Sequence, residues 1–255
     1  MSDLASSTVI VTGGASGLGR AVAETFANAG AKVCILDLNP EQAKETAAQI
    51  GAIWQEVDVS DAESVADAFA SARAQQGQER VLVNCAGIGP AAKTTSRGAP
   101  HDPAIFAKVI GVNLLGSFYC ASQAATGMVE ADPMEPDGQR GLIVNTASVA
   151  AFDGQIGQVA YAASKGGIVG MTLPMARDLA DKGVRVTTIA PGLFKTPLLE
   201  GLPEEVQASL GAQVPFPSRL GNPTEFASLV RHIADNPMIN GEVIRLDGSI
   251  RMAPR

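Results

Sequence analysis

An α/β fold, a parallel sheet with helices on both faces, is what this chain predicts, and three observations predict it. Short β-branched runs alternate with helical stretches along most of its length, as in sheets whose strands are buried on both sides and joined by crossover helices. A glycine-rich loop, Thr12-Gly13-x-x-x-Gly17-x-Gly19, stands between the first run and the first helical stretch. Asp37, Asp58, Asn84, Ser148 and Pro191 all fall where a strand should end. Ligands of such sheets bind beyond the carboxyl ends of the strands.

Residues 8–12 form the first strand, and the helix after the glycine loop runs to Ala29, where Gly30 stops it. The second strand is 32–36, closed by Asp37. Pro40 opens a helix to residue 50, at a position where a missing N–H costs little. Residues 53–57 are the third strand and 61–76 the third helix, capped by Ser60 or Asp61. The fourth strand is 80–84, and residues 93–103 read as a loop. A long helix covers 103–128, a fifth strand 142–145, and another helix 159–182. Residues 184–190 and 243–246 supply two further strands.

One domain spans 1–255, a size that 46% hydrophobic content can fill with a core. Residues 193–222 break the regularity with four prolines and a short helix near 203–210; an excursion of that length reads as a lid over a ligand. The apolar runs are too short for a membrane span. A strand beginning by Thr8 leaves no room for a secretory signal. A net charge of −7 argues against a nucleic-acid surface. Cys34, Cys85 and Cys120 are scattered and read as reduced, buried thiols with no metal-ligand spacing. A cytoplasmic protein is the expectation. His101 and His232, the only histidines, read as solvent-facing or locally hydrogen-bonded, so another group must carry protons.

Tyr161 is the candidate. It and Lys165 lie at i and i+4 of a helix, on one face. A phenol with a pKa of about 10 is too weak a base near neutrality, and a fixed ammonium favours the phenolate. A shift of roughly two to three units corresponds to about 3–4 kcal/mol and brings the group into the range of general acid–base catalysis. Ser148 stands upstream as a companion hydroxyl.

The loop residues Gly13, Ser16, Gly17, Leu18 and Gly19 form the candidate phosphate cradle. Glycines there permit close backbone approach, and the helix start offers free N–H groups. Asp37, ending the next strand, suits the ribose hydroxyls of NAD and would repel the 2′-phosphate of NADP; neither Ser16 nor Leu38 brings a cation. A carboxylate that caps the next helix is the alternative reading of Asp37.

The ordered set of motifs resembles the short-chain dehydrogenase/reductase family over essentially the whole chain. It comprises the glycine loop, Asp58-Val59, Asn84-Cys85-Ala86-Gly87, Asn113, Ser148, Tyr161, Lys165, and Pro191-Gly192 before Thr196-Pro197. The resemblance implies a Rossmann fold and an NAD-dependent oxidoreductase. Asp58 and Val59 would meet the adenine, Asn84 to Gly87 would back the cofactor, and Pro191, Gly192, Phe194 and Thr196 would border it. Tyr161 would be the acid–base and Lys165 its activator, which also holds the nicotinamide ribose. Ser148 would orient the substrate oxygen, and Asn113 would anchor a relay water.

Residues 145–152, 163–174, 213–221 and 240–248 are similar to the branch of that family that oxidises 3-hydroxyacyl-CoA to 3-oxoacyl-CoA in fatty acid or branched-chain amino acid degradation. Oxidation of hydroxysteroids or other secondary alcohols is the alternative; a non-catalytic NAD-binding scaffold would be expected to lose the tyrosine or lysine. Ser148, Tyr161 and Gln158, with Leu198, Leu199 and Leu202 of the lid, are the candidate substrate contacts. Lys93, Arg97 and Lys195 are either guides for CoA phosphates or solvated surface charges. The small residues Ala162, Ala163, Gly166, Gly167 and Gly170 point to a helix-packed homotetramer, although internal packing could use them too.

Overall fold

The computed structural model of the protein describes residues 7–201 and 203–254, and of Leu198 and Glu200 the backbone only. In chain order the elements are β1 (Thr8–Thr12), α1 (Gly17–Asn28), β2 (Lys32–Asp37), α2 (Pro40–Ile50), β3 (Ile53–Glu56), α3 (Ala62–Gln76) and β4 (Val81–Asn84). A small hairpin, β5 (Thr95–Ser96) and β6 (Ala99–Pro100), precedes α4 (Pro103–Val109), a π-turn (Ile110–Leu115) and α5 (Gly116–Glu130). Then come β7 (Gly141–Thr146), α6 (Val159–Asp178), β8 (Val184–Pro191), α7 (Pro197–Glu200), α8 (Glu204–Gly211), α9 (Pro223–Asp235) and β9 (Val243–Leu246).

Seven strands pair in parallel in the order β3-β2-β1-β4-β7-β8-β9. The alternation seen in the sequence is the cause. In β1, Val9 and Val11 enter one core with α1, α2 and α9, while Ile10 enters the other with α3 and α5. Val81, Leu82 and Val83 of β4 and Leu142, Ile143 and Val144 of β7 divide the same way. The strand order reverses between β1 and β4, so a crevice opens at Thr12 and Asn84, which lie in register.

Three departures from the expected elements have physical causes. The loop 93–103 contains a hairpin, because Arg97 (φ 51°) and Gly98 (φ 79°) adopt the left-handed pair that a two-residue turn requires. The long helix 103–128 carries a π-turn, in which the Gly116 N–H reaches back to the Gly111 carbonyl. The helix expected over 159–182 ends at Asp178, with a short 3-10 turn (Ala180–Lys182) completing it.

The composite helix Pro103–Glu130, 28 residues with a mean hydropathy of 1.6 in its most apolar stretch, is long and apolar enough to cross a bilayer by length and composition, which run lengths alone did not reveal. Here it packs against α3, α6, β4 and β7 and buries Asn113, Ser117 and Cys120.

Candidate active site

Gly13 has φ 63°, and a side chain on it would lie 2.8 Å from the Ala86 backbone. One on Gly19 would lie 2.2 Å from the Gly13 carbonyl. The loop is therefore pressed against β4's exit at Ala86 and against the start of α1. Ser16 caps α1 with its backbone alone, and the first turn of α1 carries no acid. The N–H groups at this helix end are left for an anion. Gly17 has φ 52°, and a side chain there would meet Pro197 at 3.3 Å and Thr196 at 3.7 Å, so the root of the 193–222 segment leans on the loop. Leu18 is turned inward against the core.

Asp37 does not cap α2; Asn39 does, accepting from the Gln42 N–H. Asp37 instead accepts from the Ala15 N–H at 3.0 Å and the Asn39 N–H at 3.1 Å, bracing the glycine loop. Asp58 takes both the hydroxyl (2.6 Å) and the amide (2.9 Å) of Ser60, which hold its pKa below the usual carboxylate value. The Val59 side chain is buried in the core, within 3 Å of where a side chain on Gly116 would stand. Only its backbone is left for a ligand. Phe194 departs further from expectation: its ring is 6% exposed and packs on Gly221, so its side chain belongs to the core. Pro191 ends β8 and Gly192 packs directly on Asp247. Leu199 is half-buried; Leu202 and the side chain of Leu198 lie outside the described residues.

Ser148, Tyr161, Lys165 and Asn113 come together beyond β4 and β7. A side chain on Gly87 would stand 3.2 Å from Asn113 Oδ1 and 3.6 Å from Lys165 Nζ, and one on Gly89 would touch the Tyr161 ring at 3.4 Å. Lys165 is 4% exposed and donates to the Thr146 carbonyl at 2.7 Å; its Nζ is 5.7 Å from the Tyr161 ring centroid. Burial pushes its pKa down to about 8. Burial also pushes the Tyr161 phenol above its ordinary value, against a hydrogen bond with Ser148 that lowers it. This corrects the simple charge-pair picture: the ammonium is held by a carbonyl, and desolvation dominates the phenol.

Asn113 lies in the π-turn, fully buried. Its Oδ1 accepts from the Ile88 N–H at 2.8 Å, and its Nδ2 donates to the Ile88 carbonyl (2.9 Å) and the Ser164 hydroxyl (3.0 Å). Ser164 in turn donates to the Tyr161 carbonyl at 2.7 Å. The Asn113 amide is thus a bolt between β4's exit and α6. Ser164, Thr12 and Asn145 were missed as site residues. Thr12 Oγ1 accepts from the Cys85 and Ala86 amides, both at 3.2 Å, and Asn84 Nδ2 donates to Asn145 Oδ1 at 2.9 Å. The available signal was a polar residue at a position whose neighbours demand burial, since such a group must find partners. The Cys85 thiol, beside Thr146, is raised to about 11 by burial, and Cys34 and Cys120 to about 12, so none is a thiolate at neutral pH. His101 Nδ1–H donates to the Lys93 carbonyl at 3.1 Å, and His232 is exposed at the end of α9.

A groove of about 410 Å³ lies at the start of α6, lined by Lys93, Thr94 and Thr95 and by residues 154–159 with Ala162. Gln158 is among its lining residues, with its Oε1 engaged by the Gln155 amide at 2.9 Å. Of the three candidate cations, Lys93 alone lines this groove among the described residues; Arg97 sits at the hairpin tip and Lys195 is exposed.

The profile of the short chain dehydrogenase family matches residues 7–207. The chain belongs to this family. It is 53% identical over 249 residues to 3-hydroxyacyl-CoA dehydrogenase type-2 of Homo sapiens, covering 96% of this chain and 95% of the relative. Its identity to the protein of that name in Drosophila melanogaster is 50% over 249 residues, covering 96% and 97%. A crystal structure of 3-hydroxyacyl-CoA dehydrogenase type-2 from Mycobacterium avium matches with a TM-score of 0.93 at 42% identity, over 98% of each chain. The chain is an enzyme, an oxidoreductase of that family, and the single α/β domain expected from the sequence is its fold.

Replacing Ser164 by Ala removes the hydroxyl that joins Asn113 to α6. A lost buried hydrogen bond with polar groups left unmet costs about 1–3 kcal/mol. In a protein of this size that should lower the Tm by roughly 3–10 °C. An unchanged thermal midpoint for Ser164→Ala would show the bond to be idle.

Proposed function

We propose that the protein oxidises the secondary alcohol of 3-hydroxyacyl-CoA thioesters to the 3-oxo compounds, a step of fatty acid or branched-chain amino acid degradation, with NAD as hydride acceptor. The observation that carries this reading is the convergence of Ser148, Tyr161 and Lys165 at the strand ends beside the glycine loop, in a chain similar over 96% of its length to 3-hydroxyacyl-CoA dehydrogenase type-2.

The residues present fit a dinucleotide. The glycines at 13, 14, 17 and 19 let the loop pack tightly on itself and on Ala86, and the start of α1 offers N–H donors that would suit a pyrophosphate. Asp37 would hold the ribose hydroxyls, Asp58 and the Val59 backbone the adenine, and Lys165 the nicotinamide ribose. When bound, the nicotinamide accepts the hydride that leaves the carbinol carbon. The Tyr161 oxygen, in its phenolate form, would take the hydroxyl proton as the carbon–oxygen bond becomes a carbonyl. Ser148 holds the same oxygen with its hydroxyl, so the charge that develops there meets a fixed donor. The Ser148 side chain is itself fixed, accepting from the Ala150 N–H at 3.1 Å. Lys165 keeps its charge below about pH 8 and offers a cation beside the phenol through the neutral range.

We extend the proposal to a homotetramer. Ala163, Gly166, Gly170 and Leu173 share one face of α6. Side chains on Gly166 and Gly170 would meet nothing within 4 Å, and Leu173 is 43% exposed. Gly167, by contrast, is consumed internally, packed on Leu114. Leu115 and Phe118, 41% and 47% exposed, continue the apolar surface from the neighbouring helix. A helix face stripped of side chains invites another helix close.

With 3-hydroxybutyryl-CoA, kcat/KM should favour NAD over NADP by at least about tenfold, only ~1.4 kcal/mol for one charge contact. Lys93→Ala should raise KM for the CoA thioester and spare a neutral secondary alcohol, with the difference shrinking at high salt. Absence of turnover on the thioester would remove the acyl-CoA reading.

Tyr161→Phe should lower kcat by about 10²–10⁴-fold or more and leave NADH binding nearly unchanged. Because burial keeps the phenol protonated at neutrality, kcat/KM for oxidation should climb between about pH 6 and about pH 9, and reduction should fall. A flat profile would mean that Tyr161 is not the proton acceptor.

Light scattering should give a mass near four chains, and Gly170→Trp should reduce it. A parent protein that is monomeric at every concentration would refute the assembly.

A further inference from the structure

The loop 153–158 joins the Ser148 turn to α6 and forms one wall of the substrate groove, yet it has no helix or strand of its own. Two neighbours hold it. On the inner side the Ala92 N–H donates to the Gly157 carbonyl at 2.8 Å, and Ala92 bridges Gln158. On the outer side the segment that follows β9 runs alongside: the Ile156 N–H donates to the Pro254 carbonyl at 3.0 Å, and Gln155 Nε2 to the Ala253 carbonyl at 2.9 Å. The groove wall is therefore the middle layer of three.

Arg245, on β9, anchors the outer layer. One of its nitrogens reaches Asp153 at 2.6 Å and the Ile250 carbonyl at 2.9 Å; another reaches Asp247 at 2.7 Å. Its guanidinium lies 5.3 Å over the ring of Phe152. Asp247 also accepts from Arg251 and turns the chain by taking the Ser249 amide at 3.0 Å. A single planar cation thus grips the loop at Phe152 and Asp153 and the following segment at Ile250, with its side chain 20% exposed. A lysine could not reproduce that fork.

We propose that Arg245 is a positioning residue, which with residues 250–254 clamps the 153–158 loop against Ala92 and so sets the width of the groove that receives the substrate. That the substrate is an acyl-CoA thioester rests on the function proposed above. The clamp acts on affinity and not on chemistry, because the reacting groups have independent supports. The Ser148 hydroxyl accepts from Ala150, Ser164 holds the Tyr161 backbone carbonyl, and Lys165 donates to Thr146.

The test compares the parent, Arg245→Ala, Arg245→Lys and a chain ended at Arg251 by three measurements: steady-state kinetics on 3-hydroxybutyryl-CoA, NADH binding by fluorescence, and hydrogen exchange at the amides of Ala92 and Ile156. Arg245→Ala and the shortened chain should raise KM for the thioester by about fivefold or more, with kcat and NADH affinity within about twofold. Arg245→Lys should fall between. Exchange at Ile156 and Ala92 should accelerate in step, while the amides of α6 stay protected. Unchanged exchange at both amides would overturn the clamp. So would a KM, kcat and NADH affinity that worsen together, which is the signature of general loosening; if the shortened chain does not fold, the two Arg245 variants decide. Faster exchange in a protein whose parent ignores 3-hydroxybutyryl-CoA would uphold the clamp and overturn the acyl-CoA reading.

Discussion

The amide of Asn113 holds the site together. It is fully buried, its oxygen and nitrogen both engage Ile88 just beyond β4, and its nitrogen reaches the Ser164 hydroxyl on α6. A buried amide left unmet is expensive, so the geometry that satisfies all three bonds at once is strongly preferred. The π-turn is where the chain departs from ideal helix to bring Asn113 to that point. Once it is there, the strand that ends at Asn84 and the helix that bears Tyr161 and Lys165 cannot shift independently. The sheet's switch point and α6 become one rigid unit.

Low dielectric surroundings push both titratable members toward neutrality, which raises one pKa and lowers the other. Lys165 donates to the Thr146 carbonyl, a partner that brings no counter-charge. The site therefore holds a cation and an uncharged acid side by side. A carboxylate in place of the carbonyl would quench the field that the reaction needs.

Most of the fold was legible because buried parallel strands write themselves as β-branched runs, and β1, β4 and β7 divide their residues between the two cores by simple alternation. The glycine loop was legible for a similar reason: contacts as close as that between Gly19 and the Gly13 carbonyl exclude every other residue type. What stayed hidden depends on contacts remote in sequence. Nothing local turns the Phe194 ring inward to Gly221, or sends Lys165 to Thr146 and not to the phenol beside it. The Arg97-Gly98 turn hid because arginine rarely accepts a left-handed backbone. The alternative reading of Asp37 as a helix cap gives way to a neighbour, since the Asn39 side chain takes the open Gln42 N–H.

The contact between Gly17 and the root of the 193–222 segment has a kinetic meaning. Pro197 and Thr196 lean on the phosphate loop at a point where no side chain stands between them. A segment that rests on the loop cannot swing far without exposing it, so traffic at the outer opening and retention at the inner one share a single hinge. Reciprocity then requires that whatever steadies the loop also steadies the segment, by the same free energy.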